Sequence, residues 1–241
     1  MRAIRIIFRR ELGTYLRSPF GWVIAAILLL IDGILFQGYA MSGEALSAQV
    51  LERYFYYASA MPLFGGVLLS FRLLSEERQN HSMVLLNTSP VRDSDIVLGK
   101  FFAALAFLAI LLLLSIYMPL MIKVNGKITS AQLVVGYLGL LLIGGATLAI
   151  GLFGSALARQ QLIAAVAATA MVSIMCFIHL LASKVDPPLK DVIEQSDLWW
   201  VHYQYGFMKG IFNLKDLIYY VATTYFFLLL STKTLEAKRW Q

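Results

Sequence analysis

Six long apolar stretches decide most of what this 241-residue chain can become. They run over 20–39, 54–74, 96–122, 133–157, 162–183 and 217–231. Most reach the roughly 20 residues that an α-helix needs to cross the hydrocarbon core of a bilayer. Backbone inside lipid must satisfy its own hydrogen bonds, which leaves helices or a closed barrel. Barrel strands would alternate polar and apolar residues over about 10 positions, and these runs do not alternate. Composition agrees: 59% of residues are hydrophobic and 14% charged, against about 45–50% and about 25% in soluble domains. The expected fold is all-α, a polytopic membrane protein with six transmembrane helices in one domain over 20–241.

Residues 1–19 read differently. Ile4, Phe8, Leu12 and Tyr15-Leu16 recur at helical spacing, and Arg2, Arg5, Arg9, Arg10 and Arg17 fill much of the remainder. That pattern predicts an amphipathic helix lying in the membrane interface with its arginines toward the headgroups. Ser18-Pro19 breaks it before the first span. The run from Phe20 is too long for the core of a cleaved signal, so it is read as a span. A net charge of +6 would suggest nucleic acid as a partner of a soluble protein. Here the cations flank apolar spans, where topology and lipid headgroups account for them, so membrane lipid is an expected partner and nucleic acid is not. The single cysteine, Cys176, excludes an internal disulfide and a cysteine-cluster metal site.

Orientation follows from lysine and arginine. With the N-terminus inside, the inner segments carry Arg2, Arg5, Arg9, Arg10, Arg17, Arg72, Arg78, Arg92, Lys100, Arg159, Lys233, Lys238 and Arg239. The outer ones carry Arg53, Lys123, Lys127, Lys184, Lys190, Lys209 and Lys215. Thirteen of the 20 basic residues are then inside. Both termini are expected in the cytoplasm, and residues 184–215 outside.

No catalytic residue or metal ligand set is expected. Phosphate-loop and zinc-protease patterns are missing, and His81, His179 and His202 stand far apart. Cofactors are expected to be none. The most informative segment is 75–92, on the inner side after the second span. Glu76-Glu77-Arg78 leads into the apolar run Met83 to Leu86, and Pro90 stops it. Met83, Leu85 and Leu86 suit a groove on a partner, with Glu76, Glu77 and Arg78 as a charged rim. A loop packed only on its own bundle, or an extension of the second span, fits the same residues.

Three further features stand out. Asp32 lies inside the first span and reads either as a pathway or subunit-pairing residue or as a wet carboxylate near the outer interface. Thr147, Gly151 and Ser155 repeat every four residues, and Gly136, Gly144, Gly145, Ala164 and Ala168 extend this small-residue face, which favours close helix packing. In the external segment Lys184-Val185-Asp186-Pro187-Pro188 ends the fifth span, and Trp199, Trp200, Tyr203, Tyr205 and Phe207 follow. It is too polar to span and too aromatic for a free loop. One or two short helices dipping into the outer leaflet are expected, with Trp199 and Trp200 as gate candidates or plain interfacial anchors. His179 reads as an interfacial histidine.

The run Glu76-Glu77-Arg78, Ser82, Leu85-Leu86, Thr88-Ser89-Pro90-Val91 and Ile96-Val97-Leu98-Gly99-Lys100 resembles the type-2 ABC exporter permeases. It is most similar to the branch named for gliding motility in bacteria. Gly210, Asp216, Tyr219, Leu228, Leu235-Glu236 and Arg239-Trp240 extend the likeness. The resemblance implies a permease of the bacterial inner membrane, with a coupling helix within 76–90 and an external re-entrant segment. It also implies ABC ATPase subunits that carry the ATP and magnesium, a second permease copy or homologue, and room for an extracytoplasmic accessory subunit. The alternatives are a non-transporting membrane assembly or binding subunit and a polytopic membrane enzyme.

Overall fold

A computed structural model describes residues 2–41, 46–80, 91–126, 128–182, 184–187 and 189–239. Helices dominate and no strand occurs among the described residues. The amphipathic leader forms α1 (Arg2–Arg17), and Ser18 caps the next helix by accepting from the Phe20 amide at 3.1 Å. Pro19 then opens α2 (Pro19–Leu35), where its missing N–H costs nothing, and a π turn (Phe36–Ala40) prolongs it. Packing of α1 is more intimate than an interfacial helix requires. It runs along α6 (Asp93–Leu114), where Gly99 leaves no room for a side chain beside Ile7.

The second expected span is longer than its apolar run. It joins α3 (Ser47–Ala58), α4 (Ala60–Ser70) and α5 (Arg72–Gln79) into one broken rod over Ser47–Gln79. Its breaks fall at Ser59 and Phe71, not at Pro62. Because α4 starts at Ala60, Pro62 sits in a first turn, whose amides lack intrahelical partners anyway. Pro119 is placed alike: α6 (Asp93–Leu114) ends at Ser115, and Pro119 lies in the first turn of α7 (Tyr117–Asn125).

The middle of the bundle is α8 (Ser130–Leu157), opened by a capping box of Thr129 and Gln132. It packs against α4, α6, α9 (Gln161–Phe177) and α12 (Leu214–Arg239). The small-residue face works inside the subunit. A side chain at Gly66 would strike Thr147, one at Gly151 would strike Ser70, and one at Gly136 would strike the Phe55 ring. On the other flank of α8, Gly154 meets the backbone of Ala168 on α9.

Among the described residues five helices are long and apolar enough to cross a membrane: Pro19–Ala40, Ser47–Gln79, Asp93–Val124, Ser130–Leu157 and Leu214–Lys238. The fifth expected span falls short of this. Its helix α9 has 17 residues, about 26 Å at roughly 1.5 Å per residue, against a core of about 30 Å. The returning chain ends it: the Leu198 amide donates to the Met175 carbonyl at 2.9 Å, where the next helical turn would bond. A short turn, α10 (His179–Ala182), follows.

Residues 189–209 fold back on the bundle as α11 (Leu189–Glu194), a π turn (Trp200–Gln204) and a 3-10 turn (Phe207–Lys209). Leu198, Tyr203 and Phe207 are fully buried, and Phe207 seats against Gly139. Gly210 adopts φ 74°, a left-handed turn that keeps its backbone against Gln132. The two ends of the bundle therefore differ. One gathers α1, α5 and the ends of α8 and α12, with both chain termini; the other gathers the π turn of α2, the start of α8 and the 189–209 fold.

Candidate functional site

The end that carries both termini is bound by charge. Lys100, on the second turn of α6, is 2% exposed at its side chain and lies 3.0 Å from Glu11 of α1 and 2.9 Å from Glu77 of α5. Arg10 adds contacts to Glu11 at 2.9 Å and Glu77 at 3.3 Å. One buried ammonium thus bridges the leader helix and the last turn before residues 81–90. Burial pushes the Glu11 carboxyl up, but Lys100 and the hydrogen bonds from Arg10 and Lys100 outweigh it, and the group titrates below its usual range. Arg10 is held above its ordinary value, chiefly by its hydrogen bond to Glu11.

Beside this cluster Arg72 donates to Glu76 at 3.0 and 2.7 Å and lies 3.8 Å over the ring of Phe20. A cavity of about 320 Å³ opens between α1, α5 and α6, lined by Arg10, Thr14, Arg72, Glu76, Asn80 and Lys100 among others. Its cations and carboxylates are balanced, which argues against a dedicated anion site.

Arg78 is not a free rim charge. Its guanidinium donates to the carbonyls of Ala156 and Ala158, and Lys238 donates to those of Ala156 and Leu157 at 3.0 and 2.8 Å. The end of α8 leaves these carbonyls without intrahelical donors and at the negative pole of its dipole, so two cations fit there. Ser155 closes the break at Phe71: its hydroxyl accepts from the Leu74 and Ser75 amides at 3.0 and 2.9 Å and donates to the Phe71 carbonyl at 2.7 Å. Glu77 is thereby fixed to α1 and α6 and Arg78 to the end of α8, while Glu76 pairs with Arg72 on its own helix. Met83, Leu85, Leu86 and Pro90 lie outside the described residues.

At the opposite end the aromatic segment is pinned by carboxylates. Asp197 is fully buried and accepts from the Trp199, Trp200 and Val201 amides through Oδ1. Its Oδ2 meets His179 Nδ1 at 2.9 Å, so His179 is a clamp and not a plain interfacial residue. Trp199 donates from its indole to Ser59 at 2.9 Å, holding the segment to the break between α3 and α4. Trp200 packs on the Trp199 and His179 rings. His202 is 2% exposed, stacked on Tyr219 at 3.7 Å, with Nδ1 2.8 Å from Asp216 and Nε2 3.0 Å from the Gln195 carbonyl. A carbonyl only accepts, so Nε2 is the donor in the Gln195 contact, while Nδ1 faces the Asp216 carboxylate.

Asp32 resolves toward the interior. It is 3% exposed, and its Oδ2 is buried without a hydrogen-bond partner. A carboxylate near a helix centre in lipid costs about 2.5–3.5 kcal/mol on insertion scales, so such an orphan calls for explanation. The nearby hydroxyls serve one another: Tyr54 meets Tyr137 at 2.8 Å, and both reach Ser115, at 3.3 and 3.2 Å.

The model of the ABC-2 family transporter proteins matches residues 5–233. The chain belongs to that family. ABC-2 permeases are the multi-pass membrane component of transporters whose ATP hydrolysis is carried by ATPase subunits, so the protein is a membrane permease of this class. No curated protein matches the chain.

Among residues that sequence reading passed over, Lys100 is foremost. Asp93 and Asp95 mark a helix start one to two turns earlier, which was the available signal that Lys100 lies inside a helix. Glu11 and Arg72 had none beyond their charge, and the His202–Asp216 pair is joined only by the fold.

Proposed function

We propose that this chain is the permease of an exporter in the bacterial inner membrane, energised by a separate ABC ATPase that docks where α5 enters residues 81–90. The observation that carries this reading is the Lys100 bridge. Any displacement of the end of α5 is passed through Glu77 and Lys100 to α6, and through Glu11 to α1. Arg78 and Lys238 extend the same link to α8 and α12.

In this reading Met83, Leu85 and Leu86 seat in the ATPase and Pro90 ends the seat. The complex holds two ATPases and a second permease copy or homologue. Its N-terminus, C-terminus and residues 75–92 face the cytoplasm, as the basic bias favours. The α9–α10 segment completes a sixth crossing, its short length relieved by local thinning of the bilayer. The 189–209 fold lies in the outer leaflet as a re-entrant cap, with Trp199 and Trp200 at the gate. Within the family the chain stands nearest the gliding-motility-type branch on the residues quoted above.

The test is affinity recovery of the tagged chain, with mass spectrometry for an ATPase bearing a phosphate loop. Leu85→Asp and Leu86→Asp are expected to lose that ATPase while the chain still inserts and stays monodisperse. Trp199→Ala with Trp200→Ala is expected to keep the ATPase and lose substrate stimulation. Labelling of a cysteine at position 80 only from outside, in a Cys176→Ala background, would overturn the orientation. An ATPase retained with full coupling in both aspartate variants would overturn the docking site.

A further inference from the structure

Asp32, whose Oδ2 is the orphan atom, lines a small recess between α2 and the α3–α4 rod. Its volume is about 10 Å³, and Leu28, Ile31, Tyr57, Met61 and Phe64 form most of the wall. That is room for one water-sized group. A buried water needs two to four polar partners, and apart from Asp32 the named wall is apolar but for the Tyr57 hydroxyl. A group that brings its own positive charge and its own apolar body suits the recess better. The outer rim supplies the place for that body: Ile31 is 42% and Phe64 65% exposed, on the apolar flank of the bundle.

We propose that Asp32 receives the primary ammonium head of a single-chain lipophilic amine, whose tail lies along Ile31 and Phe64. The ammonium forms a charge-assisted hydrogen bond to the orphan oxygen. The rings of Tyr57 and Phe64 stand at the recess, where a cation is attracted to aromatic faces. Size selects within the class. A trimethylammonium or guanidinium head exceeds a one-water recess, and an alcohol lacks the charge that compensates a buried carboxylate. The binding site stands by itself; only naming such amines as cargo rests on the permease reading above.

The probe is radiolabelled dodecylamine, added to the purified full chain in phosphatidylcholine nanodiscs at pH 7.5, where an alkylammonium is charged. Saturable binding at one site per chain is expected, weakened at least tenfold in Asp32→Asn. Asp32→Glu should retain most of it. Dodecanol and dodecyltrimethylammonium should compete at least tenfold less well than dodecylamine. Ala60→Val, which fills the recess while keeping Asp32, should weaken binding if Asp32→Asn proves unstable. Equal binding by wild type and Asp32→Asn, or equal competition by the bulky head, overturns the proposal. So does zero-length cross-linking of the Asp32 carboxylate to a donor of a second copy, which would make that copy the missing partner. None of these readouts involves an ATPase, so the site and the transport reading fail separately.

Discussion

Replacing Lys100 by methionine tests the link between the leader helix and the rest of the bundle. The substitution keeps the length and apolar stem of the side chain and removes the charge. It leaves Glu11 and Glu77, 15% and 14% exposed, facing the vacated centre. Breaking a buried ion pair from one side typically costs about 3–5 kcal/mol. Arg10 still reaches both carboxylates, at 2.9 and 3.3 Å, so the lower figure applies, about 3 kcal/mol, or roughly two orders of magnitude in the folding equilibrium. Reversible unfolding in mixed micelles, followed by far-ultraviolet circular dichroism, measures it. Lys100→Met combined with Glu11→Gln and Glu77→Gln should recover much of the loss, because the charges that Lys100 compensates are gone as well. A cost below about 1 kcal/mol, or single and combined variants that add within about 0.5 kcal/mol, would refute the bridge.

Glu11 titrates below its usual range, so its contribution is whole above about pH 4.5 and is lost as pH falls through the lower folded value. The gap in melting temperature between wild type and Glu11→Gln should hold steady from pH 7 to 5 and close below that; a gap that closes already near pH 6 contradicts the assignment. Ser155→Ala strands the Leu74 and Ser75 amides, and should cost about 1–3 kcal/mol in the same micelle assay; a neutral result would mean that the break at Phe71 is held some other way. Gly151→Ala drives a methyl into the Ser70 hydroxyl and should destabilise by about 1–3 kcal/mol, with Gly151→Ala/Ser70→Gly less affected than the single change. His202→Ala exposes Asp216 without its partner, and limited proteolysis within 189–209 should accelerate at least tenfold, whereas cleavage at the α1 end should not change.

The apolar length of the spans was readable because lipid imposes it. Where the helices bend was not, since the breaks are tied to distant parts of the chain: the Ser155 hydroxyl serves Phe71, and the Trp199 indole donates to Ser59. The prolines do not mark the breaks. Pro62 and Pro119 sit one turn after breaks that serines mark. Hydropathy extended the fifth span to 183 because it cannot register that Leu198 takes the Met175 carbonyl. At the charged end the sequence marks Glu76, Glu77 and Arg78 as a charged cluster, but their direction was not legible. Arg78 turns inward because α8 ends there with bare carbonyls, and Glu77 turns to Lys100 because the neighbouring helix brings a cation. Asp32 was visible as a charge out of place, while the lack of a donor to its Oδ2 could emerge only in three dimensions.

The central position of α8 also sets a timetable. Gly66, Ser70 and Phe71 on the second rod all complete their contacts with residues 147–155, which are synthesised some eighty positions later. Until that helix leaves the ribosome and its insertion machinery, the small-residue seam of the second rod has no surface on which to close and stays open to lipid. The halfway product is therefore the stage at which membrane proteases have most to act on. Chains truncated and released near residue 145 should be degraded faster than chains released near 175, in which α8 has already joined its neighbours.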